Sequence, residues 1–471
     1  MKILFIHKQI FMFFGILSLS GYLKKNGHKT DILIAAKESR LIDEIQSIKP
    51  DIIGFSVMSN DHKWFVETSL KIKNALPEIP IIVGGAHTYL NKNLIDLPQI
   101  DFVCIGEGEK PLTQLLDSFE NNTDYTKIKN LHIKTNNLIF KNEIEQPVIN
   151  LDELIDDREI YLNRYPFFKN EKLLQFVSSR GCPLKCSFCI NPAINEIYGG
   201  LVKAHRQKTP EKLVSEIQSA LFLFPETTTI FFADDLFLAD KKFVFEFTEL
   251  YKNKIRIPYM MNVFPFFVDK KVADALVSSG CSTLMISPET GNEIHRLKIF
   301  NKPIKNESFI KMSEIVKNAG LKIYTNIIFV YPEQSINDVY ESIELNHKMK
   351  TNFPFKSFLL PYPGTKIFDM AVAGNYIPRT FTFDDLPVSY FTHSPLKHPQ
   401  KKEITMLFYF YYFLVKSPVF YKLIKHRLWI LRIFPFKKYV SYLGIYLWFK
   451  NWKNMGYLTA LFYIWRFRKD K

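Results

Sequence analysis

Over the first 120 residues, short apolar runs alternate with amphipathic stretches. The runs fall at 2–6, 30–35, 51–57, 80–83 and 101–105, and segments such as "SRLIDEIQSIK" and "FVETSLKIKNAL" lie between them. Uninterrupted apolar runs bounded by turn residues predict buried parallel strands, and a 3.6-residue period predicts helices. The expected fold is a doubly wound, Rossmann-like α/β sheet of about five strands. Ligands of such sheets bind beyond the carboxyl ends of the strands. Those ends read "SVMSND", "GGAHTY" and "GEGE". Glycines there let a ligand approach the backbone.

A second alternation begins near residue 171. Its apolar runs lie at 174–178, 229–232, 259–263, 283–286, 322–329 and 357–361, separated by amphipathic segments such as "PEKLVSEIQSALFLF" and "KNESFIKMSEIVKNAG". About six βα units predict a full or partial (β/α) barrel with its site at the strand carboxyl ends. Between the two patterns, 126–170 reads as a connector in which "KTNNLIFKNE" predicts a small hairpin. The expected plan is therefore 1–125, an α/β domain; 126–170, a connector; 171–395, a barrel; and 396–471, a helical extension.

Composition changes the picture mainly at that extension. The chain has 471 residues, 47% of them hydrophobic, enough for two or three cores. Its formal net charge is +15, yet residues 397–471 alone hold 16 Lys/Arg against 2 acidic residues, leaving the remainder close to neutral. Trp429, Trp448, Trp452 and Trp465 lie in the same stretch. Basic, aromatic and aliphatic residues together suit an anionic membrane surface. Charge-free runs there, such as 404–415, reach 12 residues, too few for a span, which needs about 20. A helical cap packed on the barrel is the alternative; nucleic acid fits least, because it wants a more polar face. Five cysteines make no disulfide framework, and the opening "MKILFIHKQI" reads as a core strand, so a cytoplasmic protein is expected.

Three of the five cysteines fall within eight residues. Cys182, Cys186 and Cys189 have the spacing C-x3-C-x2-C, directly after the first strand of the second domain. Three thiolates can hold three irons of a [4Fe–4S] cluster and leave the fourth iron for a small-molecule ligand. Zinc competes, but it wants a second cysteine pair or a near fourth ligand, and the next histidine is His205. Cys104 and Cys281 read as small core residues.

"RGCPLKCSFC" resembles the signature of the radical S-adenosylmethionine (SAM) superfamily, with Phe188 in the place of its usual aromatic. "IFFADDLFLAD", "LMISPETGNE" and "YPGTKIFDMA" are similar to later segments of the same barrel. In the second of these, Ser287-Pro288 replaces the usual Gly-Ile while Glu289 and Gly291 are kept. The resemblance covers residues 174–375. It implies that the three cysteines hold the cluster and that Phe188, Asp234, Asp235, Asn262 and Glu289 bind SAM. A capping pair at Asp234 and Asp235, and a rim salt bridge at Glu289, are the structural alternatives. The first domain resembles the cobalamin-binding domain that precedes this barrel in one subclass, on "FFGILSLSGYLKKNGH", "GGAHTY" and "GEGE". This implies a corrin beside Ser56, Gly84, Gly85, Glu107 and Gly108. The Asp-x-His-x-x-Gly axial signature is absent; the chain reads "HKQIFMFFG" there, and His7 and His87 read as polar loop histidines. An α/β domain that no longer binds cobalamin is the alternative.

The implied function is that of a radical SAM enzyme, which reductively cleaves SAM at a [4Fe–4S] cluster. The implied reaction is cobalamin-dependent methylation of an unactivated carbon in a lipid or secondary metabolite. A flavodoxin or ferredoxin is the expected electron donor. Three alternatives stand beside it: a methylthiotransferase, a cobalamin-independent radical rearrangement enzyme, and a membrane-associated cluster-bearing adaptor. A methylthiotransferase would want more cysteines in the first domain, where only Cys104 occurs.

Overall fold

Five parallel strands form the centre of the first sheet: β1 (Lys2–His7), β2 (Lys29–Ile34), β3 (Ile52–Ser56), β4 (Ile81–Gly84) and β5 (Phe102–Cys104). Leu4, Ile6, Ile53, Phe55, Ile81, Val83 and Val103 belong to one buried core. With both faces covered, the strands read as continuous apolar runs rather than as an alternation. The hairpin expected in the connector is present as β6 (Leu131–Thr135) and β7 (Leu138–Lys141). Its turn is Asn136-Asn137, both with positive φ (49° and 61°), as a tight two-residue hairpin requires. The hairpin pairs antiparallel with β5 and extends the first sheet to seven strands, in the order β2-β1-β3-β4-β5-β6-β7. The computed structural model describes residues 1–433 and 437–453, with side chains to 448.

The next strands are β8 (Leu173–Phe176) and a two-stranded antiparallel ladder, β9 (Ser179–Arg180) with β10 (Arg206–Gln207). There follow β11 (Thr229–Phe232), β12 (Tyr259–Asn262), β13 (Cys281–Glu289), β14 (Lys322–Phe329) and β15 (Phe353–Phe358). The second sheet has six strands in the order β15-β14-β13-β12-β11-β8, and β12 to β15 pair in parallel. It is a curled half-barrel, so of the two expected forms the partial one is present. The last strand lies N-terminal to its expected place at 357–361, because Pro354 hides its start. As an edge strand, β15 accommodates the proline.

The chain packs as two units. The first holds residues 1–184, 189–230 and 362–365; the second holds 185–188, 231–361 and the described residues from 366 onward. In the second unit the helix Lys401–Lys416 buries Ile404, Leu407, Phe408, Tyr411 and Leu414. Phe408 stacks on Phe358 of β15 at 3.9 Å, and Tyr411 meets Phe329 of β14 edge-on at 5.3 Å. The charge-free run 404–415 therefore faces protein, which corrects the membrane-surface expectation for that stretch in favour of the cap. In the helix Lys437–Lys453, Trp448 is buried against Tyr324 and Phe355. Among the described residues no helix is long and apolar enough to cross a membrane. The expectation for 454–471, Trp465 included, and for the Trp452 side chain lies outside the described residues.

Candidate active site

The cysteine loop leaves the first unit directly after β9. Gly181 has φ 84°, and a Cβ there would collide with the Ala204 carbonyl, so only glycine fits. Cys182 and Cys186 are buried and Cys189 is half-buried. The helix Asn191–Tyr198 begins beside the last of them: the Asn191 backbone N–H and its Nδ2 each lie 3.4 Å from Cys189 Sγ. Asn195 Nδ2 donates to the Cys182 carbonyl at 2.8 Å. In the second unit, the Ser187 N–H donates to the Phe300 carbonyl at 3.0 Å, and the Phe188 ring meets Phe300 edge-on at 5.7 Å.

The SAM candidates of the second unit fall into two groups. At the end of β11, Asp234 is buried and Asp235 is exposed. Asn262, the last residue of β12, donates from Nδ2 to the Asp234 carbonyl at 3.2 Å, which brings those two together. Glu289 ends β13 with φ 64° and is buried in an ion pair with Lys302, whose Nζ lies 2.9 Å away. Lys302 also donates to the Ser287 carbonyl at 2.6 Å and sits over the Phe264 ring at 4.7 Å. Burial pushes the Glu289 carboxyl above its ordinary range, and the Lys302 ammonium pulls it partly back. The loop after Glu289 is tightly held. A Cβ on Gly291 would collide with the Glu341 backbone, and the buried Arg296 donates to the carbonyls of Pro288, Thr290 and Ile304. Neither Lys302 nor Arg296 was expected from the sequence. Both sit in the basic stretch "HRLKIFNKP", where nothing local marks one lysine or arginine as buried.

In the first unit, Ser56 of β3 and Gly84 of β4 are register partners at the carboxyl edge. A Cβ on Gly84 would meet only Cys104 Cβ, at 3.7 Å, an ordinary contact, so the space beside this glycine is unfilled. Gly85 has φ 94°, and its Cβ would sit 2.9 Å from the Val57 backbone. Gly108 is close-packed instead, its Cβ position 3.1 Å from Leu19. Glu107 is engaged by Arg180 at 2.7 Å and by Arg206. Glu109 beside it is buried, which works to raise its carboxyl; Arg180 and Ser18 outweigh this and hold it below the ordinary range. His87 is buried, with Nε2 2.9 Å from His62 Nδ1 and Nδ1 3.1 Å from Ser59 Oγ; burial lowers its pKa to about 3. His7 is buried 3.0 Å from the Tyr161 hydroxyl and is lowered likewise. Cys104 and Cys281 are buried, and burial pushes each thiol up to about 12.

The residues fit the implied groups. Three cysteine sulfurs on one short loop, one of them receiving N–H donors, match the thiolate requirement of an iron–sulfur cluster. At the strand edge, the unfilled Cβ space of Gly84 beside Ser56 is what close approach of a ligand to the backbone requires.

Comparison with known proteins follows the same division. Residues 9–116 match the profile of the B12 binding domain, and residues 176–345 match that of the radical SAM superfamily. The chain is 26% identical over 379 residues to the uncharacterized methyltransferase PH0819 of Pyrococcus horikoshii, covering 77% of this chain and 79% of that one. It is 22% identical to the anaerobic magnesium-protoporphyrin IX monomethyl ester cyclase of Rubrivivax gelatinosus, over 74% of this chain and 64% of that one. It is 24% identical to the bacteriochlorophyllide d C-8(2)-methyltransferase of Chlorobaculum tepidum, over 61% of each. The chain thus spans less than two thirds of the latter two relatives. Among solved structures, the cobalamin-dependent SAM radical enzyme OxsB, with aqua-cobalamin and SAM bound, shares the fold. Its TM-score is 0.70 at 13% identity, over 95% of this chain and 73% of that one. With one profile on each sheet, the chain carries a B12 binding domain followed by a radical SAM superfamily domain, a pair whose cofactors are a [4Fe–4S] cluster, SAM and cobalamin.

Proposed function

We propose that this enzyme is a cobalamin-dependent radical SAM methyltransferase that methylates an unactivated carbon of a lipophilic substrate. The observation that carries the reading is the pairing of the cysteine loop with a glycine-edged B12-type sheet in one chain. Cys182, Cys186 and Cys189 would hold the cluster. Phe188, Asp234, Asn262 and Glu289 would bind SAM, with Asp235 at the solvent side. Ser56, Gly84 and Gly85 would carry the corrin, while Glu107 and Gly108 shape the loop beside it. When bound, cluster and SAM supply one-electron chemistry, and cobalamin supplies a transferable methyl group. The chain's part is positioning. Lys302 keeps the buried Glu289 in place, Asn262 holds the loop at Asp234, and the helix Asn191–Tyr198 directs N–H donors at Cys189.

The lipophilic substrate is supported by the C-terminal helices. Val419, Trp429, Ile433, Tyr439 and Leu443 are exposed among Lys422, Lys425, Arg427, Arg432, Lys437 and Lys438. Such residues suit an anionic bilayer, which supports the reading of a cytoplasmic enzyme at the inner membrane surface; a flavodoxin or ferredoxin is the proposed reductant. Anaerobic reconstitution with iron, sulfide, methylcobalamin, SAM and a reductant should yield 5′-deoxyadenosine, and Cys182→Ala should abolish it. Mass spectrometry that finds iron but no SAM cleavage in the wild type would refute the reading. For the placement, the full chain should sediment with phosphatidylglycerol vesicles at low salt, and the triple change Val419→Glu, Trp429→Glu, Ile433→Glu should release it. A wild type that stays in the supernatant would defeat the membrane assignment alone.

A further inference from the structure

Two arms tie the cysteine loop to the loop that follows β5, and every residue in both belongs to the first unit. The first arm is Arg180, the last residue of β9. It donates through Nη1 to Glu107 Oε2 at 2.7 Å, and through Nη2 to Glu109 Oε1 at 2.6 Å and Ser18 Oγ at 2.9 Å. Gly181 and Cys182 follow it directly. Its ladder partner Arg206 donates to the same Glu107 carboxylate. The second arm is the helix Asn191–Tyr198. Its first residue donates to Cys189 Sγ, and Asn195 holds the Cys182 carbonyl. Its last residue, Tyr198, accepts the Glu107 backbone N–H at 2.8 Å. A Cβ on Gly106 would lie 2.8 Å from that same Tyr198 hydroxyl.

The far side of the 106–109 loop borders the open strand edge. Cys104 Cβ lies 3.7 Å from the Cβ position of Gly84, and Cys104 Sγ lies 3.7 Å from that of Gly108. The carboxylates are shielded, Glu107 13% and Glu109 3% exposed. Shielded arginine–carboxylate forks are directional, so a shift of one partner is felt by the other.

We propose that Arg180 and Tyr198 are positioning residues that couple the two cofactor sites: an assembled cysteine loop raises the affinity of the Ser56–Gly84 edge for cobalamin, and bound cobalamin stabilises the assembled loop. This rests on the site assignment made under Proposed function. Such coupling is reciprocal, because both ligands favour one arrangement of the loop they share.

The test uses the full chain and hydroxocobalamin, followed by absorbance, with the cluster reconstituted and with iron removed by chelation. Wild type is expected to bind about tenfold more tightly with the cluster than without it, within the usual range of site-to-site coupling. In Arg180→Met the two affinities should converge to within about twofold, while both cofactors still bind. Arg180→Lys should restore part of the ratio, since it returns the charge without the fork. Tyr198→Phe removes a single hydroxyl and should lower the ratio measurably, which keeps the test alive if Arg180→Met does not fold. Equal affinities in wild type, or an undiminished ratio in Tyr198→Phe or in folded Arg180→Met, overturn the inference. A wild type that takes up neither iron nor cobalamin overturns the functional reading instead, and the two failures are read from different measurements.

Discussion

At the scale of single residues, glycines carry much of the site's geometry. Gly181 and Gly280 both have positive φ, 84° and 97°, but a Cβ on Gly181 would collide with the Ala204 carbonyl, whereas nothing lies within 4 Å of one on Gly280. Gly280→Ala should therefore cost only the left-handed penalty, about 1–2 kcal/mol. Gly181→Ala should cost more in urea unfolding and should lower iron uptake, because the strained residue directly precedes Cys182. Equal costs for the two would show that the Ala204 contact is not limiting. The cysteine spacing was legible in the sequence because metal ligands on one loop are local. The partners of Glu107 and Glu289 were not, because Arg180 and Lys302 join them only through folding.

At the scale of elements, strands enclosed on both faces announce themselves, and 229–232 and 322–329 lie where the apolar runs predict them. Where helix covers strand, the pattern misleads. The run 404–415 reads as a membrane-facing surface because its aromatics are as apolar as lipid demands, yet they pack on β14 and β15. Lys356 of β15 is buried beneath that helix, its Nζ donating to the carbonyls of Phe408 and Tyr409. It lies in a cleft lined by Phe355, Phe391, Tyr412, Gly444 and Trp448, with no carboxylate among its lining residues. Burial depresses its pKa well below the ordinary lysine value of 10.5. The unfolded chain thus binds the proton more strongly, and the penalty on folding is full below the depressed folded value and vanishes as pH rises through 10.5. Lys356→Met should stabilise the protein at pH 7 by on the order of 1 kcal/mol or more, with the gain shrinking toward pH 10. Thermal unfolding at the two pH values measures this; a destabilised variant at pH 7 would mean that the two carbonyl bonds outweigh the buried amine.

At the scale of the whole chain, charge and fold divide differently. The excess of basic residues sits from 397 onward, while the residues proposed to face the cofactors lie in the near-neutral remainder, so the proposed placement and chemistry are open to separate mutation. The sequence pattern located both α/β runs, but it set the first domain's end before the hairpin at 131–141, since a two-strand addition carries too few apolar residues to signal which sheet it joins. That hairpin has a practical consequence. β5 is flanked by β4 on one side and by β6 on the other, and at the opposite end the β2 backbone at Ile34 N–H is taken by the Tyr165 hydroxyl. A fragment ending at 125 would strip both covers and present two raw strand margins, each a template for pairing with another copy. Light scattering should find the 1–125 fragment self-associating, and the 1–170 fragment, which keeps the hairpin and Tyr165, monodisperse; comparable aggregation of both would show that these covers do not protect the sheet.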